Sequence, residues 1–462
     1  MKIDRNYSYL AYVLFIGLWV SIGSDPYNFL FIFENKINIS LLNFNEFVNL
    51  IRAIIPIIVL IICLYLIIKK KLFKEQNKFL IIILIIQIIQ LISTYTSNYS
   101  VISSLEDRIN HIGRYHWIIS SISSIFLFML MDKIESFEFK NIFLISIFFL
   151  FFMVIFFSYK NLSDFIFLNS KSSLYSLNIF RENAYFFNHE IPRVTGISRS
   201  IIFLYIIIYF FNNNSQNLIK LVNNIILIIL GSLLFLYQSR FGIISYLIIN
   251  IIFLLNASNK IKSIKFILSI FLIQILLSFL ISNSRIYFNN YIKAEQNKEL
   301  KIINENKDNK ISHFRIMKDL SKKGTAQIEN MLFSGRLNIW RDSFEYIKKK
   351  PLIGYGSMSD RILLNQSREK NNQIINPISN AYLYSLISGG IISLFLFLYF
   401  WLNIKKEIFS IFKLKIIENN YSKIGHVLIL LIFLRCLIEN SIMLFGVDYL
   451  LIINSLYLVK KI

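Results

Sequence analysis

Cysteine is nearly absent from this chain, and charge is thin. The two cysteines among 462 residues, Cys63 and Cys436, each sit inside an apolar block. They imply no disulfide framework and are read as small hydrophobes. There is no CxxC and no HExxH, and the five histidines are scattered. A metal site therefore has no support, and none is expected. No Walker-type Gly-rich loop is present, so no ATP motor is visible and no cofactor is expected. Charged residues make up 16% of the chain, against about a quarter in soluble domains.

Apolar residues are plentiful, and they run in blocks. Hydrophobic residues make up 55% of the chain. "FLIIILIIQIIQLIS" (79–93), "NIFLISIFFLFFMVIFFS" (141–158) and "AYLYSLISGGIISLFLFLYFW" (381–401) lack the polar face that a soluble helix needs. Such blocks approach the roughly 20 apolar residues that cross a bilayer. The expected fold class is an all-α integral membrane protein. About 12 spans are expected, centred on 8–23, 48–68, 79–95, 116–131, 141–158, 197–211, 221–238, 241–257, 266–282, 380–401, 425–438 and 448–459. Residues 1–282 then hold nine spans, 283–379 a long loop with an amphipathic helix over 335–350, and 380–462 three more spans.

Lysine sorts the loops. "KKKLFKEQNK" (69–78), "NKIKSIK" (259–265), "NIKKEIFSIFKLKIIENNYSK" (403–423) and the terminal "KKI" fall on one side. The positive-inside rule makes that side cytoplasmic, with both termini there. Two large loops, 159–196 and 283–379, fall on the outer side, and long loops of this kind are functional or disordered. Ile, Asn, Lys and Phe abound as AT-rich codons would give, so much of the net charge of +22 is lysine of that origin. Arginine and the 14 glycines run against this bias, and their places are the more informative.

Arginine sorts the opposite way. Arg5 is the one placed clearly inside. Arg108, Arg114, Arg181, Arg193, Arg199, Arg240, Arg285, Arg315, Arg336, Arg341, Arg361 and Arg368 fall outside or at the outer mouth. Arg52 starts a span near that face. The planar guanidinium fork suits phosphate and pyrophosphate, although surface loops carry arginine anyway. Four sites stand out. "PRVTG" holds Arg193, "QSRFG" holds Arg240 at a hairpin tip, "SGR" (334–336) opens a helix, and "LRCLIEN" sets Arg435 in a span. Glu439 follows Arg435 by four residues, a spacing that puts both on one helix face as an ion pair.

In "SGRLNIWRDSFEYIKKKP", Leu337, Trp340, Phe344 and Ile347 recur at helical spacing. Ser334 suits the N-cap, Lys348–Lys350 suit the negative end, and Pro351 stops the helix. Gly335 and Arg336 at the positive end suit an anion. A helix merely resting on the membrane surface explains the apolar face but not Ser-Gly-Arg.

The order "QSRFG … SGRLNIWRDSFEYIKKKPLIGYG … SNAYLYSLISGGIIS" resembles the O-antigen ligase and O-antigen polymerase (Wzy) superfamily of bacterial inner-membrane enzymes, over roughly 190–450. The matching places are Ser239-Arg240, Ser334-Gly335-Arg336, Trp340, Pro351-Leu352-Gly354-Gly356, Asn380 and Gly389-Gly390, with "PRVTG" as the Arg-x-x-Gly before the middle span. The resemblance implies a GT-C-like membrane glycosyltransferase acting at the periplasmic face. Its donor and acceptor would be undecaprenyl-pyrophosphate-linked glycans. A chain-length regulator and a flippase are further partners it suggests, and nucleic acid is not one.

Arg193, Arg240 and Arg336 are then expected to clamp the pyrophosphate leaving group. Ser334, Gly335, Tyr355, Asn380 and Arg435 complete the candidate substrate-binding set. Ligases of the superfamily carry a His before the Asn, as base for the acceptor hydroxyl. This chain has Ser379 there, which favours a polymerase of lipid-linked repeat units over a ligase. The candidate bases by residue type are His189, Glu190, Glu439 and Asp448. A transporter for lipid-linked glycan is the rival of another class. It would show internal repeats, which are not apparent here.

Overall fold

A computed structural model of the chain describes residues 4–22, 44–72, 77–97, 105–167, 194–212, 216–237, 239–300, 336–360, 362–363 and 378–461. The regular structure there is helical. In chain order the helices are α1 (Tyr7–Ser21), α2 (Phe44–Lys69), α3 (Lys78–Thr96), α4 (Leu105–Lys133), α5 (Phe139–Phe167), α6 (Val194–Asn212) and α7 (Asn217–Tyr237). There follow α8 (Arg240–Asn256), α9 (Lys260–Leu300), α10 (Arg336–Lys349), α11 (Ala381–Asn403), the short α12 (Lys405–Phe409), α13 (Asn420–Cys436) and α14 (Val447–Lys461).

Isoleucine-rich runs favour strands by local propensity. In an apolar medium that preference loses, because a helix satisfies every backbone N–H and C=O within one segment. Among the described residues, seven helical segments are long and apolar enough to cross a membrane: Leu50–Lys69, Lys78–Thr96, Gly113–Lys133, Phe139–Tyr159, Asn217–Tyr237, Lys260–Ile281 and Ala381–Asn403. Tyr7–Ser21, Gly196–Asn212 and Phe241–Asn256 are apolar but shorter. The expectation of about 12 spans is thus met by a helix at each place, but by full spanning length at seven. The protein is a multi-pass helical membrane protein by these segments. The stretch 283–379, expected as a long loop, begins in helix. Helix α9 runs on through the polar residues 282–300, which contain neither Gly nor Pro to stop it.

The chain packs as two units, each discontinuous in sequence. The first comprises Met1–Ser146, Glu329–Phe409 and Leu428–Ile462; the second comprises Ile147–Ile328 and Ser410–Val427.

In the first unit α2 packs on α4, α3 on α4 and α11, and α1 on α2 and α4. Lipid is as apolar as leucine, so small residues and polar bonds hold such helices together. Ser120, Ser121, Ser123 and Ser124 of α4 are all buried. Pro56 inside α2 withholds an N–H from the helical ladder. Helix α4 bonds to the same stretch of α2: Ser123 Oγ donates to Pro56 O at 2.7 Å, and His116 Nε2 meets Ala53 O at 3.0 Å. Arg52 Nε donates to Val20 O at 2.7 Å and its Nη2 to Ile22 O, closing the carbonyl end of α1.

In the second unit α7 packs on α6 and α9, and α8 on α6. Gln274 of α9 ties it together. It accepts from Tyr246 Oη at 2.6 Å and donates to Leu227 O at 2.9 Å. Gly231 of α7 leaves the room, since a Cβ there would overlap the Gln274 amide. The Ser239-Arg240 hairpin takes the form expected. Helix α7 ends at Tyr237, α8 begins at Arg240, and Ser239 Oγ caps it by accepting from Gly242 N at 3.2 Å.

Candidate functional site

The best-defined constellation lies in the first unit, where α11 is broken. Gly390, with φ 66° and ψ −164°, interrupts the helix. It is nine residues past Ala381, which at the helical rise puts the break about 13 Å along the span. A break frees backbone groups that the membrane interior cannot satisfy. The segment 351–358, which contains Pro-Leu-Ile-Gly-Tyr-Gly, lies against it and takes them up. Tyr355 N donates to Ile387 O at 2.8 Å, Gly356 N to Ser388 O at 2.7 Å, and Ile391 N to Pro351 O at 2.8 Å. The two glycine motifs of the sequence are therefore one structure. Gly354 (φ 64°) and Gly356 (φ 92°) adopt backbone that side chains resist. A Cβ on Gly354 would stand 2.7 Å from Gly390 N and Ile387 O.

Helix α3 forms the opposite wall. Gln87, Gln90, Ser93, Thr94 and Ser97 are all buried. Gln90 Nε2 donates to Ser388 Oγ at 3.2 Å, Ser93 Oγ to Ile353 O, and Thr94 Oγ1 accepts from Ser357 N at 3.1 Å. From α4, Arg114 is 1% exposed; its Nε donates to Ser357 O at 2.6 Å and its Nη2 to Tyr355 O. From α11, Tyr384 Oη accepts from Met358 N at 2.7 Å. Asp360 Oδ2 then accepts from Ile378 N at 2.9 Å, two residues before Asn380.

Helix α10 is fastened to this loop. Tyr355 Oη donates to Tyr346 O at 3.3 Å, Tyr346 Oη to Leu363 O at 2.9 Å, and Lys350 Nζ stands 5.0 Å over the Tyr355 ring. The helix buries Ile339 and Ser343 and exposes Phe344, so the sequence face of Leu337, Trp340, Phe344 and Ile347 is not wholly the buried one. Burial, with the neighbouring Tyr346, pushes the Tyr355 phenol above its usual range.

Several other candidate residues find places here. Asn380 caps α11: its Oδ1 accepts from Tyr382 N at 2.9 Å and Leu383 N at 3.0 Å, while Nδ2 donates to Leu437 O at 2.9 Å. That bond joins α11 to the end of α13. Arg435 lies in the last turn of α13, buried, with Nε donating to Asp448 Oδ2 at 2.8 Å. The spacing argument paired Arg435 with Glu439, but α13 ends at Cys436, so Glu439 lies beyond the helix. Its backbone N still donates to Arg435 O at 2.8 Å. A partner that spacing along one helix does not reveal is Asp448.

Arg240 and Arg336 are described by backbone alone. Arg240 is the first residue of α8, in the second unit, and Arg336 the first of α10, in the first. His189, Glu190, Arg193, Ser334 and Gly335 lie outside the described residues. Among the described residues, no three His, Cys, Asp or Glu side chains gather as metal ligands would. Arg114, Thr94 and Gln90 were missed as site residues. The signal was there: Gln87, Gln90, Thr94 and Ser97 recur at steps of three and four along α3, a narrow polar seam turned inward.

A multi-pass helical membrane protein with a glycine-containing loop docked into a broken span is the class these features define. Over residues 225–398 the chain matches the family model described as O-antigen ligase (Wzy_C). That stretch holds the Arg240 hairpin, α10, the docked loop and the break in α11, and it bears out the resemblance read from the same motifs. His189, Glu190, Arg193, Arg435, Glu439 and Asp448 fall outside it. No curated protein and no solved structure matches the chain.

Proposed function

We propose that this protein is a membrane glycosyltransferase that joins lipid-linked oligosaccharide repeat units into a surface polysaccharide. The observation that carries the reading is the family match over 225–398, which falls on the motifs for which the chemistry needs cations and tight backbone. The growing glycan leaves its undecaprenyl-pyrophosphate carrier and passes to the terminal sugar of a new repeat unit. Negative charge grows on the departing pyrophosphate, and fixed guanidinium groups lower that barrier without a metal. Arg240, Arg336 and Arg193 are the proposed cations. The acceptor hydroxyl gives its proton to a base, for which Glu439, His189 and Glu190 remain candidates. Asp448 is the weaker choice, because its carboxylate already accepts from Arg435.

Ser379, directly before the cap of α11, favours the polymerase, since a serine hydroxyl is a poor base at neutral pH. The second reading is the ligase, which would move finished glycan to a lipid core; the family match supports it equally. The enzyme would lie in the bacterial inner membrane with both termini cytoplasmic and its site periplasmic. A flippase would deliver its substrate, and a chain-length regulator would act beside it.

Glycan analysis of a deletion strain separates the readings. Loss of the polymerase leaves single repeats on the lipid core, and loss of the ligase leaves none. A transporter fails a different test: purified protein would make no polymer from lipid-linked repeats without gradient or ATP.

A further inference from the structure

We infer that Arg114 is a positioning residue for glycan transfer: its buried guanidinium locks the loop 351–358 into the break of α11 and so fixes the seat of α10. This inference rests on the function proposed above.

The loop's backbone packs against the break in α11, and polar groups left unsatisfied in an apolar interior cost several kcal/mol each. Four of its N–H groups, those of residues 355–358, are bonded. Those of Tyr355 and Gly356 go to Ile387 and Ser388, that of Ser357 to Thr94, and that of Met358 to Tyr384. Its carbonyls need donors from elsewhere. Pro351 O receives Ile391 N, and Ile353 O receives Ser93 Oγ. Tyr355 O and Ser357 O receive the two arms of Arg114. These carbonyls flank Gly356, where a Cβ would come within 2.6 Å of Arg114 Nη2. The fork thus closes around a residue that has no side chain to oppose it.

A lysine is a point donor on a flexible stem, whereas the guanidinium is a rigid fork that serves two acceptors at once. An ionisable side chain inside a membrane protein is costly and is kept for function. Here it reaches from α4 to a loop more than 240 residues later in the chain. Through Tyr355 and Tyr346 that loop holds α10, and α10 begins at Arg336. Arg114 therefore acts on the reaction through the loop, without touching the reacting atoms.

The test uses the full chain in nanodiscs with Cys63 and Cys436 replaced by alanine and one cysteine placed at Ser359, which is fully buried. Arg114→Gln is expected to raise the rate of labelling by a water-soluble maleimide at least tenfold, with Arg114→Lys in between. Arg52→Gln, which weakens α1 instead, is expected to leave that rate unchanged. On lipid-linked repeat units, Arg114→Gln is expected to lower kcat at least tenfold while KM for the donor moves less than threefold, and Arg114→Lys to recover part of kcat. Unchanged labelling overturns the clamp. Raised labelling with kcat intact overturns its role in transfer. Labelling raised equally by Arg52→Gln reduces the effect to general loosening and also overturns it. If the wild-type chain transfers no glycan while labelling still responds, the functional reading has failed, and the positioning role falls with it while the clamp stands.

Discussion

Gly390 and Leu352 meet backbone to backbone: a Cβ placed on Gly390 would run into the Leu352 carbonyl group. The φ, ψ pair of Gly390 is one that only glycine adopts freely, so a side chain there costs about 1–3 kcal/mol before any clash is counted. The loop must also move away. Gly390→Ala is therefore expected to lower the thermal midpoint in detergent by several degrees and to expose the loop to protease. Gly389→Ala is the comparison. That residue keeps helical φ and ψ, so alanine there meets the Ser393 Cβ at 2.4 Å but adds no backbone strain and does not reach the loop backbone, and the loop should stay less exposed to protease than in Gly390→Ala. Equal melting of both variants and wild type would contradict the break.

Arg435 and Asp448 invite a cycle of variants. Both side chains are under 10% exposed, so removing one takes a close charged partner from the other inside the fold. Arg435→Met or Asp448→Leu alone is expected to cost about 3–5 kcal/mol, and the double variant to recover most of it. The pair is read as a clasp between α13 and α14, so the double variant should also recover glycan product. Recovered stability without product would move Arg435 back among the substrate-binding residues.

The seven full-length spans were legible because each holds a long apolar run with few charges, and length with hydropathy is what crossing a membrane demands. What spacing could not give was pairing across the chain. Arg114 reads as one of a dozen outward arginines until α3 and α4 bring it to Tyr355. The Gly389-Gly390 step and the Gly354-x-Gly356 turn read as two motifs, because nothing local says that one fills the gap in the other. Arg435 was paired on the assumption that α13 continues through Glu439. The chain instead leaves the helix after Cys436 and returns in α14 with Asp448. The polar seam of α3 was readable, but five polar residues among so many isoleucines passed as decoration on a hydrophobic run.

Arg336 and Arg240 carry the proposed chemistry and should fail without unfolding. Each opens its helix, where loss of a side chain leaves the ladder of helical bonds intact. Arg336→Ala and Arg240→Ala are expected to abolish long-chain glycan on a gel while membrane levels of protein stay within twofold of wild type. Lysine at either place should restore only part of the ladder, since charge returns but the fork does not. Normal ladders from both alanine variants would remove these residues from the mechanism.

Asn380 separates a structural cap from a substrate contact. Its Oδ1 serves the Tyr382 and Leu383 amides, and its Nδ2 serves Leu437 O. Asn380→Ala removes all three bonds, and loss of the cap alone costs about 0.5–2 kcal/mol. Asn380→Asp keeps the cap, and a carboxylate suits the positive end of α11, but it sets an acceptor against the Leu437 carbonyl. If Asn380 acts only as cap and tie, thermal stability should fall in the order wild type, Asp, Ala, and glycan transfer measured well below each midpoint should follow wild type in both variants. If the amide also holds the acceptor sugar, transfer by the Asp variant should drop far more than its stability does. The structure accounts for every bond of the cap, so the first outcome is expected, and a stable but inactive Asn380→Asp protein would refute it.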